Sequence, residues 1–229
     1  MIAVILVDLE NIWRGLIRDQ AETKKNPVGI SAVFYGIRNI TTTIKNQGKK
    51  VFVFVFVPPH YCNVFEIARD TDGLLWSFCP TFGVGRTRYN SADQIIIRLA
   101  NLIAMTGNRH FCIHDFFGMG ALSHIQVSAE QIFQSRKVPI FWPDGGSVNE
   151  RRDSEKRTRA VLRSFLEGKE LVTDVCLLSG DGDFQQAVER LQRRGIHVIV
   201  STMSNDSLSP DLLAKADEFW DFPREPAPH

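Results

Sequence analysis

Three features of the sequence predict a three-layer α/β protein, a mostly parallel sheet with helices on both faces. Short apolar runs of strand length alternate along the chain with segments of helical period. Two of these runs, IAVILVD and VFVFVFV, are apolar throughout, as expected of strands buried on both faces. Carboxylates stand at the ends of the first and a later run, where open parallel sheets gather their functional groups.

The first strand is read over residues 2–8, where the apolar run ends at a carboxylate. Ile30, Val33, Phe34, Ile37 and Ile44 then recur at helical spacing, and Gly48 supplies a stop. The second strand covers 51–57 and is halted by Pro58 and Pro59. A third strand over 74–79 leads through the loop FGVGRTRYNS into a helix over about 91–105. The alternation continues through strand HFCIHDF, a helix near 123–136, strand VPIFW and a helix over about 154–167. Strand DVCLLSG at 174–180, a helix over 184–194, strand HVIVST and a last helix near 210–219 complete it. The chain is expected to form a single domain over 1–222, with an elaborated middle region at about 83–147 and a disordered tail at 223–229.

The 229 residues, 44% hydrophobic and 23% charged, exclude disordered and collagen-like classes. No apolar run reaches the roughly 18 residues of a membrane span. The N-terminal stretch MIAVILVDLEN lacks the basic head of a secretion signal, so a cytoplasmic protein is expected. A net charge of +1 excludes a strongly basic binder and makes local charge the quantity to read. Cys62, Cys79, Cys112 and Cys176 form no C-x-x-C, and reduced thiols are expected. His110, Cys112 and His114 share one strand face among bulky apolar neighbours, a poor setting for zinc. Phe52, Phe54 and Phe56 are read as core, since a strand buried on both faces leaves no stacking platform.

Asp8 closes the first strand, followed by Glu10 and Asn11, while Asp181 and Asp183 follow a later strand in SGDGDF. Carboxylates brought to one point repel each other unless a divalent cation neutralises them, and oxygen donors favour Mg2+ or Mn2+. Such an ion lowers the pKa of water and stabilises charge on a phosphoryl group, the chemistry of phosphodiester hydrolysis. Asp183, just ahead of the apolar stripe Phe184, Ala187, Val188 and Leu191, also suits a helix N-cap; Asp181 has no evident structural task.

The first strand ILVDLEN, the phrase LLSGDGDFQQAVERLQRRGIHVIV and the ending LSPDLLAKADEFWDF resemble the NYN family of PIN-like ribonucleases, over roughly residues 2–57 and 148–222. The resemblance implies a Rossmann-like (PIN-like) fold, RNA cleavage at a metal-binding acidic cluster, and metal-ligand roles for Asp8, Asp181 and Asp183. It also implies that Asn11 orients ligands or phosphate. Leu9 stands where the family commonly has glycine. The fourth acid is assigned to Asp153, which begins the helix before DVCLLSG, with Asp93 in NSADQIII as the alternative.

Arg151, Arg152, Lys156, Arg157, Arg159 and Arg163 face only Asp153 and Glu155 in their segment, a local charge of +4. Basic groups beside an acidic site suit the backbone of RNA, expected to be single-stranded. Arg86 and Arg88, with Tyr89 for stacking, form a second strip. Arg190, Arg193 and Arg194 lie at a helix end, where complementing the helix dipole accounts for them. The expected function is metal-dependent endoribonuclease. Alternatives are a non-catalytic RNA- or protein-binding module on the same fold, or a metal-dependent phosphatase. The middle region is a candidate surface for a homo-oligomer or a protein partner.

Overall fold

The computed structural model describes residues 1–23, 31–57, 74–78, 91–106, 170–203 and 208–224. Among these residues six strands form one sheet: β1 (Ile2–Asp8), β2 (Lys50–Val57), β3 (Leu74–Phe78), β4 (Val172–Leu178), β5 (His197–Thr202) and β6 (Glu218–Asp221). Their order is β3-β2-β1-β4-β5-β6, and every neighbouring pair is parallel. The chain therefore winds outward from β1 on one side, returns to the centre, and winds outward again from β4 on the other. The junction of β1 and β4 is the switch point at which an open α/β sheet leaves a crevice.

Five helices are described: α1 (Leu9–Thr23), α2 (Ser31–Asn46), α3 (Ser91–Thr106), α4 (Gln185–Gln192) and α5 (Pro210–Lys215). They divide between the faces as strand alternation dictates. Ile2, Val4 and Leu6 of β1 join Phe52, Phe54 and Phe56 in a core with α3, α4 and α5. Ala3, Ile5 and Val7 point the other way, into a core with Leu9, Ile12 and Leu16 of α1 and Val33, Ile37 and Ile44 of α2. Full burial on both faces is why β1 carries no polar residue before Asp8, each large side chain contributing about 1.5–3 kcal/mol. The phenylalanine run of β2 is core, as expected.

Helix ends follow local chemistry. Gly48 takes φ 78° and donates its N–H to Lys45 C=O at 2.9 Å, closing α2 in the left-handed conformation that glycine adopts without strain. Ser209 caps α5, its Oγ accepting from Leu212 N–H at 3.4 Å, with Pro210 at the first helical position.

Two boundaries differ from the sequence reading. β4 begins at Val172 and ends at Leu178, so Ser179 and Gly180 lie in the loop beyond it. The final helix stops at Lys215, and residues read as its continuation form β6. The backbone ladder to β5 overrides helical spacing there: Asp217 N–H donates to Val198 C=O at 3.0 Å, and its Oδ2 accepts from Val198 N–H at 2.8 Å. Phe222 then packs, fully buried, against Gly36 of α2, where a Cβ would overlap its ring. The elements expected between 107 and 169 and the tail from 225 lie outside the described residues.

At the N-terminal edge of the sheet Asp174 is buried but paired. Lys49 Nζ stands 2.8 Å from its Oδ1, Thr173 Oγ1 donates to its Oδ2 at 2.6 Å, and His197 Nδ1 lies 3.4 Å away. Lys49 is partly exposed, which places the pair between the surface and buried extremes. Lys49→Met is expected to cost about 2 kcal/mol, and Lys49→Met with Asp174→Leu clearly less, because the double variant leaves no unpaired buried charge. Urea unfolding checks this; a single variant matching wild type in midpoint would show the pair to be energetically idle.

Candidate active site

β1 is central, so its last residue stands in the switch-point crevice, and that residue is Asp8, 4% exposed. Asp8 Oδ1 accepts from Asn11 N–H at 3.2 Å, capping the first turn of α1. Its Oδ2 accepts from Ser179 Oγ at 3.1 Å across the gap to the loop after β4. Ser179 Oγ in turn accepts from Asp181 N–H at 3.2 Å, and Asn11 Oδ1 accepts from Gly180 N–H at 2.9 Å. A third loop closes on these two. Ser209 N–H donates to Gly180 C=O at 2.8 Å, and Gly182 passes so close that a Cβ there would meet Ser209 Oγ at 2.9 Å.

Asp181 and Asp183 exchange the structural roles expected of them. Asp181 caps the single 3-10 turn Gly182–Phe184, its Oδ1 accepting from Asp183 N–H at 2.9 Å. Asp183 caps nothing: α4 starts after Phe184 without a side-chain cap, and the Asp183 side chain is exposed. The insertion of a 3-10 turn ahead of α4 moves the cap two residues upstream. Among the described residues Asp181 Oδ2 and both side-chain oxygens of Asp183 make no hydrogen bond or ion pair.

Asp93, in the first turn of α3, is 7% exposed, and among the described residues its carboxylate makes no hydrogen bond or ion pair. Burial pushes its pKa up to about 8, helped by the negative charges of Asp8, Asp181, Asp183 and Glu10. Burial also raises Asp8 to about 6, against the lowering effect of its bonds from Asn11 and Ser179 and with the help of Glu10 and Asp181. Asp93 thus lies within electrostatic reach of Asp8, Asp181 and Asp183 around one crevice. They are gathered but not clenched: among the described residues no three His, Cys, Asp or Glu stand at metal-ligand spacing.

The donor set is carboxylate oxygen alone, which suits a hard divalent cation by its chemistry; burial first, and the neighbouring acids second, disfavour the charged carboxylates, and such a cation would favour them. Asn11 has its carbonyl engaged with Gly180, leaving its amide nitrogen for a ligand. Ser179, fully buried, was missed in the sequence; a hydroxyl directly after an apolar run and before Gly-Asp was the available signal. Asp153, Arg86, Arg88, Arg151, Arg152 and Arg157 lie outside the described residues.

Residues 160–223 match the family model of the NYN domain. That span holds β4, the loop with Asp181 and Asp183, α4, β5, α5 and β6, one half of the sheet and one wall of the crevice. The resemblance drawn from LLSGDGDFQQAVERLQRRGIHVIV is found there. No curated protein matches the chain. A similar solved structure is that of a protein of unknown function from Vibrio parahaemolyticus, 16% identical, with a TM-score of 0.41 over 96% of this chain and 92% of that one. Among the described residues no helix is long and apolar enough to cross a membrane.

Because Asp8 and Asp93 hold protons to higher pH in the folded chain than at their ordinary value of 3.8, the native state binds more protons than the unfolded state above that pH. Stability of the metal-free protein is therefore expected to fall as pH rises, through about 6 for Asp8 and about 8 for Asp93. Asp93→Asn should flatten the upper part of this fall and raise stability at pH about 8 by about 2 kcal/mol, discounted for partial solvent access. Urea unfolding in EDTA across the range tests it, and equal slopes for variant and wild type would remove Asp93 from the cluster.

Proposed function

We propose that the chain is a divalent-metal-dependent endoribonuclease that hydrolyses RNA phosphodiester bonds in the acidic crevice between β1 and β4, with Mg2+ or Mn2+ as its cofactor. The observation that carries this reading is the meeting, at the switch point, of two buried carboxylates with raised pKa values and the Asp181 and Asp183 loop. Burying uncompensated negative charge costs stability, and such costs concentrate at functional sites. The NYN match over residues 160–223 supports the same chemistry.

In this reading Asp8, Asp93 and Asp181 would hold the cation, and Asp183, exposed at the mouth, would add a further carboxylate. Asp93, buried and within electrostatic reach of Asp8, serves as the fourth acid here, and Asp153, outside the described residues, stays the other candidate for that place. When bound, the ion neutralises the scissile phosphate and lowers the pKa of the attacking water. Ser179 and Asn11 hold Asp8 and the β4 loop in register, and the Asn11 amide donates to a phosphate oxygen. Arg86, Arg88, Arg151, Arg152 and Arg157 track the strand, which is single-stranded RNA in this proposal.

A non-catalytic RNA-binding module is the second reading, favoured by one observation: the described carboxylates stand wider than ligand spacing. Asp181→Asn separates the two. Asparagine caps nearly as well as aspartate, so the 3-10 turn survives while a charged ligand is lost. Cleavage of a labelled single-stranded RNA in Mn2+ or Mg2+ should fall by about 100-fold or more, more than changes behind a ligand typically cost, and EDTA should abolish it. Binding without metal-dependent cutting by wild type would establish the second reading.

A further inference from the structure

We propose that the cavity between α3 and α4 is a phosphate subsite for the RNA strand, remote from the acidic crevice on the same face of the sheet. This inference rests on the ribonuclease reading for the identity of the strand. An open cavity of about 380 Å³ is lined by Asn101 and Ala104 from α3 and by Arg190, Arg193 and Arg194 at the end of α4. All three arginines are exposed. Dipole complementarity at the carboxyl end of α4, the sequence reading for all three, accounts for one positive charge there. It does not account for three guanidinium groups around one cavity in a protein of net charge +1.

The acids near these arginines leave most of that charge uncompensated. Glu189 pairs with Lys215 at 2.8 Å and more distantly with Arg193 at 3.4 Å, and the lysine contact holds its carboxyl below the usual range. Arg190 donates to a neutral partner, Asn101 Oδ1, at 3.0 Å. Arg194 makes no side-chain hydrogen bond or ion pair among the described residues. Planar guanidinium groups matched to anionic oxygens are the usual means of holding phosphate.

The geometry points to a polyanionic strand. α3 begins beside Asp8 with Asp93, and α4 begins just after Asp183; both run from the crevice along the same face of the sheet. Asn101 is eight residues beyond Asp93, a rise of about 12 Å along the helix. A strand with its scissile phosphate at the acids would thus place another phosphate, a few nucleotides away, over the arginines. An isolated phosphate monoester has no need of a second basic site at that distance.

The test uses the full chain in EDTA, so that nothing is cut, with a fluorescein-labelled single-stranded RNA dodecamer, a dinucleotide and polyglutamate as probes. Arg194→Ala, which breaks no side-chain bond among the described residues, should weaken dodecamer binding by about three- to tenfold. It should also reduce the dependence of log affinity on log salt by about 0.7 for each phosphate that the variant no longer neutralises. Arg190→Ala with Arg194→Ala should do more, while dinucleotide binding and the variant Lys45→Ala, on the opposite face, should match wild type. Unchanged dodecamer affinity and salt slope in both arginine variants would overturn the subsite, as would a wild type that binds no RNA. Polyglutamate binding that competes equally with RNA would assign the cavity to an acidic protein instead. Cleavage assays keep the two ideas apart: metal-dependent cutting with unaltered RNA binding in the arginine variants removes the subsite alone. Arginine-dependent RNA binding without cutting removes the ribonuclease alone.

Discussion

The two oxygens of Asp8 organise the crevice. A carboxylate buried at the end of a central strand needs donors, and here each oxygen has one, from the α1 turn and from the loop after β4. The donors are themselves tied. Ser179 receives Asp181 N–H, Asn11 receives Gly180 N–H, and Gly180 C=O receives Ser209 N–H. Three loops distant in sequence are thereby joined through one acid, and the position of Asp181 follows from the bond its own amide makes. Each link is an ordinary hydrogen bond of about 1 kcal/mol net, but loss of one leaves a buried partner unsatisfied, which costs more than the bond contributed.

The two ends of the same sheet treat buried aspartate in opposite ways. At the N-terminal end Asp174 has a lysine, a threonine and a histidine beside it. At the C-terminal end Asp8 and Asp93 are surrounded by further acids, and burial and repulsion raise both. A fold able to pair one buried carboxylate with lysine was able to pair another. Four acids facing one another at the switch point are a cost that the packing of the β1 core offsets, and buried acids with raised pKa values are the kind of cost that concentrates at functional sites.

Legibility in the sequence followed burial. β1 and β2 were readable because two-sided burial makes every position apolar, and α2 because a single buried face imposes a 3.6-residue period. β6 was not readable: its four residues lie at the edge of the described sheet, two exposed and two partly buried, and continue the spacing of the helix before them. The acids at strand ends were legible as a group, since Asp8 and Asp181 interrupt apolar runs. Their division of labour was not, because a 3-10 turn ahead of α4 is a local choice of two residues that no periodicity records. Ser179 is a single hydroxyl whose importance exists only once β1 and β4 are neighbours.

The pairing of β1 with β4 carries one irregularity that bears on all of this. Ile2 aligns with Val172, but Ala3 aligns with Asp174, so Thr173 is an extra residue in β4, its hydroxyl 3.3 Å from Ile2 C=O and 2.6 Å from Asp174 Oδ2. From there the strands run in step to Val7 beside Leu178, which sets Asp8 beside Ser179. Had the pairing run on unshifted from Ile2 beside Val172, Asp8 would align with Leu178, and the hydroxyl that holds its Oδ2 would lie one position on. A one-residue change of register alters which side chains share a face, and bulges are a means of aiming them. The shift at one end of β4 thus reconciles the pairing of Ile2 with the register that brings Ser179 to the buried acid at the other. The NYN match begins at residue 160 and takes in the bulge, Ser179 and Asp181, while Asp8 and Asp93 lie outside it. What the matched half contributes to the site is therefore the registered edge against which β1 delivers its aspartate.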